Sequence, residues 1–172
     1  MRRFSFLAAL LAVLLTGTPS FAGPPPYLKL AEAVGTPHLA DSEGPADKSR
    51  LVLKFVPAGQ SVKDWKKMTT VSILKLPPND VNDAATQSAL RGVIRTLKDD
   101  LKVRKVKIET FDESPLEPAT CYFEYSDLGE TQKGVVYSPE RGFITIAQIG
   151  SKDGGDISDG DVDLLRHIIA QR

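Results

Sequence analysis

The chain has 172 residues with 22 basic and 22 acidic side chains, so its formal net charge is zero at pH 7. A nucleic-acid-binding domain would carry a clear basic excess, and this balance argues against that class. A single cysteine, Cys121, excludes an internal disulfide, so packing alone must hold the fold together.

The first 22 residues have the organisation of a secretory signal peptide. Arg2 and Arg3 give a positive start, an apolar run extends over residues 4–15, and small residues follow before Ala22. The apolar run is shorter than the roughly twenty residues that a membrane-spanning helix needs. The pattern therefore favours cleavage near Ala22 over a stable membrane anchor, and it predicts a periplasmic or secreted protein.

The next segment, residues 23–49, is rich in proline and glycine and is predicted to form a flexible tail, in which residues 27–34 can dock or form a helical turn or two. A single domain is predicted over residues 50–172, because a chain of this length can bury a self-sufficient core. Branched and aromatic residues predict its first two strands at residues 51–56 and 69–76.

Between these two strands, residues 61–68 predict a short helix. Ser61 is placed to cap it, and Asp64 occupies the capping-box position three residues later. Val62, Trp65 and Met68 would share one helical face, which is predicted to point toward the core.

A long helix predicted over residues 80–102, with Asn79 or Asp80 as its cap, is the clearest element. Its apolar residues recur at three- and four-residue steps and form one stripe along about six turns. A closing helix is predicted over residues 159–170, after a loop rich in glycine and aspartate. Four strands are predicted between the two helices, at residues 103–111, 120–125, 132–137 and 143–149.

This order of elements fits neither a regular βα alternation nor an all-β chain. It predicts an α+β fold with a largely antiparallel sheet of about six strands. The long helix, the C-terminal helix and the short Trp-bearing helix are predicted to cover that sheet.

Two short segments resemble a pattern in small uncharacterised bacterial exported proteins. They are Phe-Val-Pro-Ala-Gly-Gln at residues 55–60 and Trp-Lys-Lys-Met-Thr-Thr-Val at residues 65–71. In such proteins a strand ending in Val-Pro-x-Gly leads to a Trp-x-x-Met-x-Thr segment and a further strand. The element order over residues 50–172 also resembles the PsbP-like fold. That resemblance implies a binding or assembly protein and supplies no catalytic residues.

The sequence contains no motif for a known catalytic or cofactor site. His38, His167 and Cys121 are widely separated along the chain, which does not match the clustered ligands of a zinc site. The nucleophile-elbow, phosphate-loop and dinucleotide motifs do not occur. We therefore expect no cofactor and no enzymatic activity, and we expect Cys121 to be a buried, inert thiol. A hydrolase with a dispersed site that includes His167 stays an alternative.

Carboxylates in the glycine-rich loop at residues 153–163 raise the question of a Ca²⁺ site. The spacing does not match an EF-hand, since counting from Asp156 places His167 at the position that requires glutamate. A solvated loop whose Ser158 or Asp159 caps the last helix accounts for the same residues. No metal site is predicted, and the weak candidate ligands are Asp153, Asp156, Asp159 and Asp161.

A basic cluster on the predicted short helix is the leading candidate for a partner surface. It consists of Lys63, Lys66 and Lys67 beside Trp65, which together can contact an anionic partner or a lipid headgroup. The alternative is an ordinary polar helix face. We predict an exported, soluble, non-enzymatic binding or assembly protein that engages an envelope protein through this cluster or through the loop at residues 150–160. A carrier of a lipid or another small apolar ligand, enclosed between the long helix and the sheet, is the other alternative.

Overall fold

The computed structural model describes residues 26–47, 49–78, 81–153, 155 and 157–170. The predicted signal peptide therefore lies outside the described residues. Within them the chain forms three helices and one seven-stranded sheet. The helices are α1 (Pro26–Ala33), α2 (Asp83–Val103) and α3 (Asp159–Ala170). The strands are β1 (His38–Glu43), β2 (Arg50–Val56), β3 (Lys67–Lys75), β4 (Lys107–Glu113), β5 (Cys121–Asp127), β6 (Glu130–Tyr137) and β7 (Phe143–Lys152).

The strand order in the sheet is β1-β2-β3-β7-β6-β5-β4, and every neighbouring pair is antiparallel. Two meanders, β1–β3 and β4–β7, meet where β3 pairs with β7. The predicted α+β class and antiparallel sheet are therefore confirmed, with seven strands in place of about six. Among the described helices, none is long and apolar enough to cross a membrane.

Helices α1 and α3 pack on one face of the sheet. Leu30 and Val34 of α1 share a buried cluster with Leu165 of α3 and with side chains of β5, β6 and β7. Ala31, on another side of α1, packs on Phe55 and its neighbours in β2 and β3. On this face of the sheet, helices therefore pack over both meanders.

Helix α2 packs on the opposite face, where its apolar stripe forms the second main core. Leu90, Ile94 and Leu101 lie over Phe123 of β5 and Ile144 of β7 and are almost fully buried. The partly buried side chains around this core come mainly from β4 and α2 itself. Helix α2 therefore covers the β4–β7 half of the sheet.

The N-terminal segment corrects one prediction, because residues 26–43 form α1 and β1 and belong to the folded domain. Helix α1 buries Leu30 and Ala31, and Gly35 follows it with φ +79°, a backbone conformation that glycine adopts easily. The buried Thr36 hydroxyl lies 2.7 Å from that of Thr69. The docked helical turns considered for residues 27–34 are present as α1. The prediction of a flexible tail is wrong for residues 35–43, and the domain extends well before residue 50.

The short helix predicted over residues 61–68 does not form. Its capping contacts exist, since the Ser61 amide donates to Asp64 Oδ1 at 2.7 Å. They close only a single turn, after which the Lys66 amide donates to Gln60 Oε1 at 2.8 Å. Lys67 then begins β3, because the branched residues after it suit the centre of a sheet.

The boundaries of the two long helices test the capping predictions. Asn82 caps α2 by accepting a hydrogen bond from the Ala85 amide at 2.8 Å, so the prediction of Asn79 or Asp80 as cap is wrong. Helix α2 also runs to Val103, so β4 begins later than predicted. Helix α3 has the predicted bounds, and its cap is Ser158, whose Oγ accepts from the Asp161 amide at 3.2 Å.

Both edge strands of the sheet are interrupted. Strand β1 has a register shift between Leu39 and Asp41, and β4 has one between Ile108 and Thr110. Bulges and charged side chains at sheet edges discourage pairing with another chain. The unpaired edges of this sheet are therefore poor templates for strand addition.

Candidate functional site

The predicted partner surface around Trp65 does not form a single patch. Trp65 is only 6 % exposed, and Lys152 Nζ lies 4.3 Å from the centroid of its ring. Such a cation over an aromatic face is an attractive contact within the domain. Trp65 is therefore a packing residue, while Lys63 and Lys66 stand exposed in the loop before β3.

Lys67 points away from that loop and has an intramolecular partner. Its Nζ lies 2.7 Å from Asp161 Oδ2 at the start of α3, where the Asp161 side chain is 7 % exposed. Asp161 Oδ2 also accepts a hydrogen bond from the Ser158 amide at 2.9 Å. The pair joins the central strand β3 to α3 and is not available to a partner.

The candidate metal ligands are also dispersed. Asp161 is engaged with Lys67, Asp159 is exposed in the first turn of α3, and Asp153 is exposed in a turn with φ +55°. Asp156 lies outside the described residues. Across the described ranges no three histidine, cysteine or acidic side chains are grouped closely enough to hold a metal ion.

Among the described residues, the three core clusters leave out most side chains that β1, β2 and β3 place on the α2 face of the sheet, with Leu74 at the end of β3 as an exception. Paired residues of antiparallel strands point to the same face. The strand pairing therefore places two rows of side chains there, each running across β1, β2, β3 and β7. We call these two rows the open face. Its first row is Asp41, Lys54, Thr70 and Gln148, and its second row is Glu43, Val52, Ser72 and Ile146.

The open face is only partly buried, as expected for a sheet surface that meets solvent. Val52, Thr70, Ser72 and Gln148 are half-buried, and none of the four belongs to a core cluster. Ile146 marks the border, since it packs against the core beneath α2. The open face is therefore a mixed surface of hydroxyl, amide and small apolar groups.

Its charged groups are concentrated at the β1 edge. Lys54 Nζ donates to Asp41 Oδ2 at 3.1 Å and to Glu43 Oε1. The hydrogen bonds to Glu43 and Asp41 raise the pKa of Lys54 above its ordinary value, and the bond from Lys54 lowers the pKa of Asp41. Lys54 and Asp41 therefore stay charged at neutral pH. Among the described side chains at this corner of the open face, the carboxylates of Asp41 and Glu43 outnumber the Lys54 ammonium, so the corner is negative.

The space between α2 and the sheet does not suit a carrier. Side chains of the second core fill it, including Leu90, Ile94 and Phe123. A surface depression of about 460 Å³ lies beside the first turns of α2, and five of its six lining residues are polar or charged. Within the described part of the chain, packed side chains therefore occupy the space in which the carrier alternative places its apolar ligand. The depression is lined by Asp83, Ala84, Gln87, Ser88, Arg91 and Glu117.

The two histidines lie on different elements. His38 is exposed at the start of β1, and His167 is exposed in the last turn of α3.

Comparison of the sequence with models of protein families and with curated proteins finds no match.

Cys121 lies on β5 beneath α2 and is fully buried, as the sequence predicts. Burial raises the pKa of its thiol to about 12. Because the thiolate is the reactive form, we expect no reaction with Ellman's reagent in the native protein and complete reaction after unfolding. A Ser88→Cys variant has a second thiol on the exposed side of α2. In its native state this variant should react rapidly with one equivalent of Ellman's reagent. Rapid native labelling of the unmodified protein would contradict the buried position.

Proposed function

We propose that this chain is an exported, non-enzymatic binding protein of the bacterial envelope, and that it binds a protein partner through the open face. The observation that carries the proposal is the asymmetry of the sheet. Within the described part of the chain, helices cover both meanders on one face but only the β4–β7 half on the other. A half-buried surface of this kind, held on four rigid strands, is suited to recognition.

The shape of the open face favours a protein over a small molecule. Four neighbouring strands span about 15 Å between the first and the last, since each spacing is about 4.8 Å. Small-molecule sites are concave and bury most of their ligand, whereas the open face is one layer of short side chains on a sheet. Its mixture of polar and apolar groups matches an ordinary non-obligate protein interface.

The charges of the open face define what its partner presents. Asp41 and Glu43 share the ammonium of Lys54, and among the described residues neither carboxylate has a second ion-pair partner at the β1 edge. Thr70, Ser72 and Gln148 offer hydrogen-bond donors and acceptors toward the centre. We therefore propose a partner with a basic group opposite the β1 edge and a polar, uncharged centre.

Site-specific photo-crosslinking in the producing cell tests this proposal. A benzophenone amino acid at Ser72 should give a discrete adduct with one envelope protein after irradiation. The same amino acid at Thr96, exposed on α2, is the matched control and should give none. Equal adduct patterns at the two positions would contradict a specific interface on the open face.

A substitution that sterically blocks the open face is a second test of the same proposal. Ser72→Arg adds a long charged side chain to the open face without entering a core, so the fold should persist. We expect partner binding to weaken by about thirtyfold, the effect of disrupting an interface centre by about 2 kcal/mol. Thr96→Arg should bind normally, and retained binding by Ser72→Arg would refute the assignment of this face.

A further inference from the structure

The polar depression beside α2 lies between the first turns of that helix and the loop that joins β4 to β5. Its volume of about 460 Å³ is within the range of small-molecule sites. Gln87, Ser88 and Arg91 line it from α2, and Glu117 lines it from the loop. It lies on the β4 side of α2, away from the open face, so the partner interface proposed above does not account for it.

Hydrogen bonds fix both ends of this depression. Gln87 Oε1 accepts a hydrogen bond from the Ala119 amide at 2.9 Å, which ties the loop to α2. At the other end, Asp83 forms a bidentate pair with Arg141, at 2.8 and 2.9 Å. The depression is therefore a preformed feature of the folded domain, as sites for small molecules usually are.

Arg91 presents hydrogen-bond donors that the domain itself does not use. Its guanidinium lies 3.7 Å from Glu113 Oε1 and 3.9 Å from Glu117 Oε1, and both distances are too long for a hydrogen bond. In the ranges that the structure describes, no acceptor takes a hydrogen bond from Arg91 or from the amide nitrogen of Gln87. An arginine fork beside an amide donor is well suited to a carboxylate.

The charges around the depression favour neither an anion nor a cation. Asp83 is neutralised by Arg141, and Arg91 faces the two carboxylates of Glu113 and Glu117. A ligand that carries only negative charge would be repelled by these two carboxylates. A ligand that carries only positive charge would be repelled by Arg91 and would leave its donors unused. The site therefore selects a ligand with one group of each sign.

We infer that the depression binds a zwitterionic α-amino acid, with its carboxylate on Arg91 and Gln87 and its ammonium on Glu117. Standard bond lengths place the nitrogen and the carboxylate oxygens of an α-amino acid about 3 Å apart. Arg91 Nη2 and Glu117 Oε1 are 3.9 Å apart, so the two ion pairs can form side by side. The small side chains of Ala84 and Ser88 leave room in the depression for a polar side chain of the ligand.

Titrations with L-glutamine and two analogues test this inference on the purified protein. Chemical shifts of the Ala119 amide and of the Gln87 side-chain amide report binding at the depression. We expect a dissociation constant of about 1 mM for glutamine. The analogue 4-carbamoylbutanoate lacks the ammonium, and 4-aminobutanamide lacks the carboxylate. Each should bind about tenfold more weakly, since each loses a charge-assisted hydrogen bond.

Two variants and a matched control locate the site. Arg91→Gln should weaken glutamine binding about tenfold and keep its stability, because both of its ion pairs are long and exposed pairs are weak. Gln87→Glu keeps an oxygen for the Ala119 amide but loses the amide donor, so it should also bind weakly. Arg95→Gln removes the same charge one turn along α2, outside the depression, and should bind normally.

The inference is wrong if glutamine causes no saturable shift at the Ala119 amide far above the expected dissociation constant. Either analogue binding as tightly as glutamine would also refute it, because the site would then recognise a single charge. Equal losses in Arg91→Gln and Arg95→Gln would assign the effect to net charge and contradict the placement. None of these results bears on the open face, which the crosslinking at Ser72 tests separately.

Discussion

Replacing Gly134 by alanine should destabilise the domain by about 3 kcal/mol, at the upper end of the range for overpacking a core. A Cβ atom at this position of β6 would lie 2.8 Å from the Ala147 carbonyl oxygen and 2.8 Å from Gln148 Cβ, and it would also meet the Phe123 ring. The first two atoms belong to the neighbouring strand β7, so the clash cannot be relieved by one side-chain rotation. Urea unfolding followed by circular dichroism measures the change.

Gly92 provides a control of the opposite sign. A Cβ at this exposed position in α2 would meet nothing within 4 Å. Gly92→Ala should therefore stabilise the protein by about 0.5–1 kcal/mol, the difference in helix propensity. If Gly134→Ala unfolded at the same urea concentration as the unmodified protein, the close approach of β6 and β7 described above would be incorrect.

Asp161→Asn is expected to cause the second large loss, about 2 kcal/mol. Breaking a buried ion pair leaves one charge uncompensated and costs about 3–5 kcal/mol. We expect a smaller loss here because the Lys67 side chain is 25 % exposed, so its ammonium can reach water. The asparagine oxygen can still accept the hydrogen bond from the Ser158 amide, so the cap of α3 should survive. Thermal or urea unfolding measures the difference.

Two comparisons isolate the contribution of the Lys67–Asp161 ion pair. Asp163→Asn, at an exposed position two residues later, should change stability by less than about 0.5 kcal/mol. In a Lys67→Met background, the loss caused by Asp161→Asn should shrink markedly, because its partner is gone. If Ca²⁺ raised the stability of the unmodified protein and not of Asp161→Asn, the acidic loop would be a metal site after all.

The elements predicted best are those specified by local pattern. Helix α3 combines a serine cap with an apolar stripe, and its bounds match the prediction from sequence. Helix α2 carries a long periodic stripe, so only its ends were misplaced. The helix expected at residues 61–68 failed because Ser61 and Asp64 satisfy each other within one turn, and the same capping residues can close a turn or begin a helix.

Strand β1 could not be predicted because its stability comes from tertiary contacts. Strand β1 reads His-Leu-Ala-Asp-Ser-Glu and has little strand character of its own. It forms because β2 supplies hydrogen bonds and Lys54 pairs with its acidic residues. Proline and glycine around this segment indicated a tail, although Gly35 serves to end α1.

The candidate site was missed for a related reason. The alternation of Thr70 and Ser72 with Val71 and Ile73 marks β3 as more polar on one face. Whether that polar face is exposed depends on where α2 lies across the sheet, which is a property of the whole fold. The predicted patch around Trp65 assumed helical spacing, whereas the strand beginning at Lys67 directs that lysine toward α3.

The packing of α1 against α3 has a consequence for how the chain matures. Among the described helices, the first and the last share one core, in which Leu30 and Val34 meet Leu165. Helix α1 therefore has no complete packing surface until the segment that forms α3 has been synthesised. Contacts between distant parts of a sequence also slow folding. A nascent polypeptide with this arrangement would therefore complete its α1–α3 core only after α3 has been made.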